Sequence, residues 1–266
     1  MTPVLTVRNL RKTFTLHTID GRTVVSLDGV NLDVAAGEHV AIAGPNGAGK
    51  SSMLRCIHRT YLPDSGSIVL HRADGPVELT ELPDRAMAGL RGRDICYVSQ
   101  FLEAPPRAGA LEVVAEAARR RGLAADVARE AAAASLRRLG LEEALWDVDC
   151  GVLSGGERQR INLAAGTVRP PRLLLLDEPV SALDPENRER ALNLVQSLTT
   201  EGVAVLAVFH DLEAIRRLAT RVLRLDGGQI TAEGTADEVL GASPEGGSPE
   251  AASLEGASFE AVGVTS

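Results

Sequence analysis

The chain has 266 residues, a formal net charge of -8 and 44% hydrophobic content. That length supports one sizeable core or two small ones, and the acidic balance excludes a global basic field for nucleic acid. No apolar run approaches the ~18 residues of a membrane span, and the opening MTPVLTVRNL lacks the charged-then-apolar pattern of a secretory leader, so the expected compartment is the cytoplasm.

Val4 to Val7, then Val30, Leu32 and Val34, alternate apolar and polar residues as half-buried strands do. Asp20-Gly21 between them is a hairpin-type turn signal. His39 to Ala43 reads as a buried strand running into a glycine-rich loop, followed by a helix from about Gly49 to Arg59. Pro63 to Gly66 is a turn, and short strands follow at Ser67 to Leu70 and Ile95 to Val98. From about Ala110 to Leu139, Ala, Leu, Glu and Arg dominate. Leu111, Val114, Ala115 and Ala118 share one helical face, so this stretch predicts a helical insertion, placed at about 104–168. Strands then return at Leu173 to Leu176, Val203 to Val208 and Val222 to Leu225, with helices near Glu186 to Leu198 and Leu212 to Leu218. That alternation predicts a mostly parallel sheet covered on both faces. The expected domain is 1–240. Residues 241–266, rich in Gly, Ala, Ser, Pro and Glu and without Lys or Arg, read as a disordered acidic tail.

Cys56, Cys96 and Cys150 fit no metal spacing and read as reduced core thiols, and the five histidines are scattered. The 28 basic residues comprise only two lysines, Lys12 and Lys50, against 26 arginines. Lys50 is therefore notable, because arginine is not equivalent to lysine as a point charge on phosphate.

Lys50 lies in Gly44-Pro45-Asn46-Gly47-Ala48-Gly49-Lys50-Ser51, a G-x-x-x-x-G-K-[ST] loop followed by Ser52. Its glycines let backbone N–H groups converge on phosphate oxygens, and the next helix aims its N-terminal dipole at the same anion. Lys50 is expected to reach the β- and γ-phosphates of ATP, and Ser51 to ligate Mg²⁺. Leu173 to Leu176 followed by Asp177-Glu178 places two carboxylates at a strand's carboxyl end, Asp177 for the metal and Glu178 as general base. These two motifs define a P-loop NTPase.

Leu153-Ser154-Gly155-Gly156-Glu157 resembles the signature of the ATP-binding-cassette (ABC) ATPases, with Glu157 where that family usually has glutamine. The resemblance covers about residues 2 to 240 and implies an α/β nucleotide-binding domain: a RecA-like P-loop core, an N-terminal antiparallel β region and an α-helical subdomain. It implies further that Ser154 to Glu157 bind the γ-phosphate held by the other subunit of a homo- or heterodimer. Gln100 is implied as the Q-loop glutamine sensing Mg²⁺, and Ser181 to Asp184 as the D-loop at the dimer interface. His210 is implied as the switch histidine and Phe14 as the aromatic that stacks on adenine.

Within that family, Arg59 to Gly66, Val98 to Leu102, Pro106-Arg107, Ala110 to Val114, Leu145-Trp146 and Phe209-His210-Asp211 resemble the L protein (PhnL type) of the bacterial phosphonate C–P lyase system. That resemblance implies an ATPase subunit supporting formation of α-D-ribose 1-phosphonate 5-triphosphate from ATP and phosphonate, with lyase core subunits as partners. The alternative is the nucleotide-binding subunit of an ABC transporter of the lipoprotein or macrolide exporter type, with a membrane permease as partner. A translation or DNA-maintenance protein is disfavoured, because the chain has one P-loop motif and no long heptad coiled coil.

Overall fold

The structure, a computed structural model, describes residues 3–16, 22–102 and 104–241. Strands β1 (Pro3–Leu16) and β2 (Arg22–Ala35) pair antiparallel; the expected Asp20-Gly21 turn between them lies outside the described residues. Strands β4 (Ser65–Arg72) and β5 (Gly75–Glu78) complete this sheet in the order β2-β1-β4-β5.

A second sheet holds β3 (His39–Ala43), β6 (Ile95–Val98), β7 (Leu173–Asp177), β8 (Ala204–Val208), β9 (Arg221–Asp226) and β10 (Gln229–Gly234). Their order is β10-β9-β3-β8-β7-β6, parallel from β9 to β6, with β10 antiparallel at the edge.

The central strands are buried on both faces, and their side chains divide by parity, as the two-residue strand period requires. On β7, Leu173 and Leu175 join one core cluster, while Leu174 and Leu176 join the other. The first of these clusters contains helix α1 (Lys50–Ile57), enclosed between the two sheets. The second is roofed by α3 (Ala110–Arg120), α4 (Ala125–Arg138), α5 (Gly155–Thr167), α6 (Pro185–Thr200) and α7 (Leu212–Leu218), where α2 is the short helix Asp84–Leu90. Helices α3 to α5 fill the interval between β6 and β7 and pack on one another. Leu111, Val114, Ala115 and Ala118 form the buried face of α3, as their spacing predicts.

Among the described residues, six short elements were not expected from the sequence: α2, β5, β10, α8 (Ala236–Leu240) and two 3-10 turns, Glu143–Leu145 and Cys150–Val152. Each has at most seven residues, too few for a periodic pattern to stand out. The helix over Gly49 to Arg59 is shorter than expected, with a non-helical Gly49 and with Arg59 left-handed at φ 61°. The expected tail lies outside the described residues beyond Gly241. All three cysteines are free and buried.

His39 on β3 is fully buried, its ring 5.9 Å from Phe209, and neither ring nitrogen has a hydrogen-bond partner among the described residues. Burial pulls its pKa from 6.5 down to about 3. The half-buried His58 is pushed down to about 4 by desolvation and by Arg91. Between the folded and unfolded pKa values the unfolded chain binds more protons. The stability contributed by the neutral rings is therefore complete above about pH 6.5 and is lost as pH falls through the folded values. The slope is on the order of 1 kcal/mol per pH unit for each ring. The melting temperature is expected to fall between about pH 7 and about pH 5, and to fall less in His39→Leu. Parallel melting curves for the two proteins across that range would remove His39 as a source of acid sensitivity.

Candidate active site at the carboxyl ends of the strands

The loop from Gly44 to Gly49 leaves β3 and enters α1. Three of its glycines have positive φ: 144° at Gly44, 79° at Gly47 and 102° at Gly49. At Gly49 a Cβ would lie 2.1 Å from the Ser26 carbonyl oxygen, and at Gly44 2.0 Å from that of Leu225. The loop is therefore pressed between β2 and β9 at a distance only glycine permits. Gly49 is the N-cap of α1 and supplies no capping side chain, so the first N–H groups of the helix stay free for an anion.

Lys50 is 7% exposed. Its ammonium donates to the carbonyls of Gly44 (2.7 Å) and Pro45 (2.8 Å), strapping the loop from inside. Burial pulls it below the usual lysine range, against the opposing pull of the Glu178 and Asp177 carboxylates. Asn46, Gly47, Gly49, Lys50, Ser51 and Ser52 line a pocket of about 190 Å³, closed on its other sides by Ser26, Glu178 and His210.

Asp177, 3% exposed, ends β7. Its Oδ1 accepts the Ser51 hydroxyl (2.8 Å) and its Oδ2 the Tyr97 hydroxyl (2.7 Å). Glu178 follows with φ 53°, a left-handed conformation uncommon outside glycine. Contacts on both sides hold it there: its N–H donates to Val208 O (3.0 Å), and its carbonyl accepts from Gln159 Nε2 (2.5 Å) and Ser181 Oγ (3.2 Å). The turn aims the Glu178 carboxylate into the pocket, with Oε1 2.7 Å from His210 Nε2 and Oε2 3.5 Å from Gln100 Nε2. Strands β6, β7 and β8 thus deliver Gln100, Asp177, Glu178 and His210 to one place. The oxygen donors Ser51, Asp177 and Gln100 suit a hard divalent cation that also takes phosphate oxygens. A carboxylate at the mouth of an anion-binding loop, held by an imidazole, can accept a proton from water.

Ser154 is the N-cap of α5 and forms a capping box with Glu157: the Glu157 N–H donates to Ser154 Oγ (3.3 Å), and the Ser154 N–H donates to Glu157 Oε2 (2.7 Å). The hydrogen bonds from Ser154 hold the Glu157 carboxyl below the usual range. The acidic departure at this position is therefore built into the helix start, where a carboxylate also suits the dipole. Ser154, Gly155, Gly156 and Glu157 do not line the pocket of their own chain. Asp184 caps α6, accepting from the Asn187 backbone (3.0 Å) and side chain (2.6 Å), and lies outside that pocket as well. Phe14 is half-buried, edge-on to Tyr61 with centroids 5.2 Å apart and Lys12 Nζ 5.2 Å from its centroid; it does not line the pocket either.

Three residues of the site were missed from the sequence: Ser26, which lines the pocket from β2, Gln159 and Tyr97. Buried Gln159 ties α5 to the Glu178 carbonyl and, through its Oε1, to the Ala182 N–H (2.9 Å). A polar residue on the buried face of a helix was the available signal. Tyr97 on β6 carried none.

A glycine-cradled loop at a helix start after β3, facing paired carboxylates at the end of β7, two strands away in the sheet, defines a P-loop nucleoside triphosphatase. The sequence model of the ABC transporter family matches residues 27–181, and the chain belongs to that family. It is 36% identical over 231 residues to the lipoprotein-releasing system ATP-binding protein LolD of Hyphomonas neptunium, covering 86% of this chain and 97% of that protein. It is 31% identical to the phosphonates import ATP-binding protein PhnC of Treponema denticola, covering 89% of this chain and 91% of that one. Among solved structures it resembles the dimeric bacterial ABC transporter cassette MJ0796, with a TM-score of 0.80 at 29% identity over 87% of this chain and 98% of that one. The same cassette bound to ADP and Pi, in a post-hydrolysis dimer, matches with a TM-score of 0.79 at 28% identity.

Proposed function

We propose that the chain is the ATP-hydrolysing subunit of an ABC transporter and acts as a head-to-tail dimer on a membrane permease at the cytoplasmic face. Gly44 to Ser52 bind the phosphates, with Lys50 as their counter-charge. Ser51, Asp177 and Gln100 hold Mg²⁺, which when bound draws charge from the γ-phosphate. Glu178 takes the proton of the attacking water while His210 steadies its carboxylate. Ser154 to Glu157 close on the partner copy's nucleotide, with Asp184 at the same interface, and Phe14 stacks on adenine.

The observation that carries the permease is a groove of about 580 Å³ beside Gln100, on the face formed by α3 and α5. Leu102, Ala104, Pro105, Ala108, Val113 and Ala165 line it, with Glu112 and Glu116 among its polar residues. Phe101, between Gln100 and the groove in sequence, is 72% exposed. The chain runs from Gln100, beside Glu178, through Phe101 to Leu102 in the groove, a route by which the state of the nucleotide reaches a docked helix. No helix of the described residues is long and apolar enough to cross a membrane.

Two stretches resembling the C–P lyase L protein, Val98 to Leu102 and Ala110 to Val114, contribute Leu102, Glu112 and Val113 to this same groove. The transporter reading takes precedence over the lyase reading because the relatives above are named for lipoprotein release and phosphonate import. Purification from native membranes in detergent is expected to recover the chain with a multispanning protein, and Phe101→Asp is expected to release it while leaving nucleotide binding intact. Recovery from the soluble fraction with phosphonate-cleaving subunits, and phosphonate uptake unchanged in a deletion strain that no longer cleaves phosphonate, would favour the lyase complex instead.

A further inference from the structure

Asp177 has both carboxylate oxygens occupied. Oδ1 faces Ser51, at the start of α1. Oδ2 is taken by the hydroxyl of Tyr97, which lies on the adjacent strand β6. The Tyr97 hydroxyl in turn accepts from Arg55 Nε (3.4 Å), one turn along α1 from Ser51. Arg55 also donates through Nη1 to the Tyr61 hydroxyl (2.9 Å), with its guanidinium 5.5 Å from the centre of the Tyr61 ring. Tyr61 meets Phe14 edge to face. The result is a continuous polar and aromatic chain from Phe14 through Tyr61, Arg55 and Tyr97 to Asp177.

A tyrosine hydroxyl that accepts from a guanidinium is a stronger donor to the carboxylate beyond it, because successive hydrogen bonds polarise one another. The Tyr97–Asp177 bond is charge-assisted and shielded from water on the Asp177 side, which is where such bonds are strongest. A carboxylate fixed at one oxygen loses rotation about its terminal torsion, which is otherwise broad and nearly two-fold. Its second oxygen then points in one direction, toward the Ser51 side of the nucleotide pocket. None of this requires Tyr97 to touch nucleotide or metal.

We propose that Tyr97 is a positioning residue for the divalent cation: held by Arg55, its hydroxyl fixes Asp177 so that Oδ1 is presented to the cation site, and the Arg55–Tyr61 arm extends the same network to Phe14. The proposal rests on the Mg-ATP reading of the site. Partners that orient metal ligands from behind typically change metal affinity by about 10- to 100-fold when removed.

The test uses the full chain, with the non-hydrolysable nucleotide AMP-PNP and Mg²⁺ as probes. Nucleotide binding is measured by calorimetry, first in EDTA and then against rising Mg²⁺. Tyr97→Phe, which keeps the ring and deletes only the hydroxyl, is expected to raise the half-saturating Mg²⁺ concentration about 10-fold. Its metal-free affinity for AMP-PNP and its melting temperature should stay near wild type, a separation that a purely structural role would not produce. Arg55→Gln should shift the Mg²⁺ requirement in the same direction by a smaller factor, and combining the two should add little to Tyr97→Phe alone. If the wild-type chain binds AMP-PNP with no dependence on Mg²⁺, the reading of the site itself fails. If wild type depends on Mg²⁺ and Tyr97→Phe matches it within a factor of two, the proposal alone is overturned. Should Tyr97→Phe not fold, Arg55→Gln decides: a raised Mg²⁺ requirement upholds the network, and an unchanged one overturns it.

Discussion

Glu178→Gln is expected to retain Mg-ATP binding and to lose about 10²- to 10⁴-fold of turnover, the usual range for removing a general base. The amide is nearly isosteric and can still meet His210 and Gln100, so the left-handed turn at Glu178 and the pocket walls should persist. What disappears is the proton acceptor. ATP should therefore stay bound, and the dimer closed on it should accumulate, visible as a doubled mass by light scattering in the presence of Mg-ATP. Phosphate release within a few-fold of wild type would show that another group accepts the proton. The backbone makes this a clean substitution. Glu178 is held by Val208, Gln159 and Ser181 through main-chain atoms, so changing the carboxylate to an amide leaves these contacts untouched. His210→Ala should also slow hydrolysis, by a smaller factor, because it removes the carboxylate's support and not the carboxylate.

The second large effect is expected at Gly49. A methyl group there would stand 2.1 Å from Ser26 O and 3.2 Å from a Leu27 methyl, on a backbone at φ 102°. Neither the β2 carbonyl nor the start of α1 can move without the other. Gly49→Ala is therefore expected to cost about 2–4 kcal/mol of stability, combining backbone strain with overpacking, and to remove nucleotide binding. Gly47 is the internal control. Its φ is also positive, 79°, but a Cβ there meets nothing within 4 Å. Gly47→Ala should cost only the conformational strain, about 1 kcal/mol, and keep measurable binding. Denaturant melts and a fluorescent-ATP titration of both variants check the contrast. Equal losses at the two positions would mean that φ alone, and not the contact with β2, sets the requirement for glycine.

The ATP-binding chemistry was legible in the sequence because it is local. Gly44 to Ser51 is contiguous, and its function follows from consecutive N–H groups, one lysine and a helix start. Asp177 and Glu178 are adjacent at the end of an apolar strand, and Ser154 to Glu157 announce a helix start by their own residue types. The α/β alternation was equally legible, because a strand buried on both faces appears as an unbroken apolar run such as Leu173 to Leu176. Only the tertiary structure decided how these pieces act on one another. Strand order β8-β7-β6 brings Asp177 beside Tyr97, 80 residues away, and Glu178 beside His210, 32 residues away. No residue pattern encodes such a neighbour, because pairing between parallel strands depends on which crossover places them together. The same reason hid the bridging role of Gln159, whose partners lie on a turn 19 and 23 residues further along the chain. The groove beside Gln100 is likewise a product of helix packing: its apolar residues come from the segment after β6, from α3 and from α5, and they form a surface only once those helices have docked on the sheet.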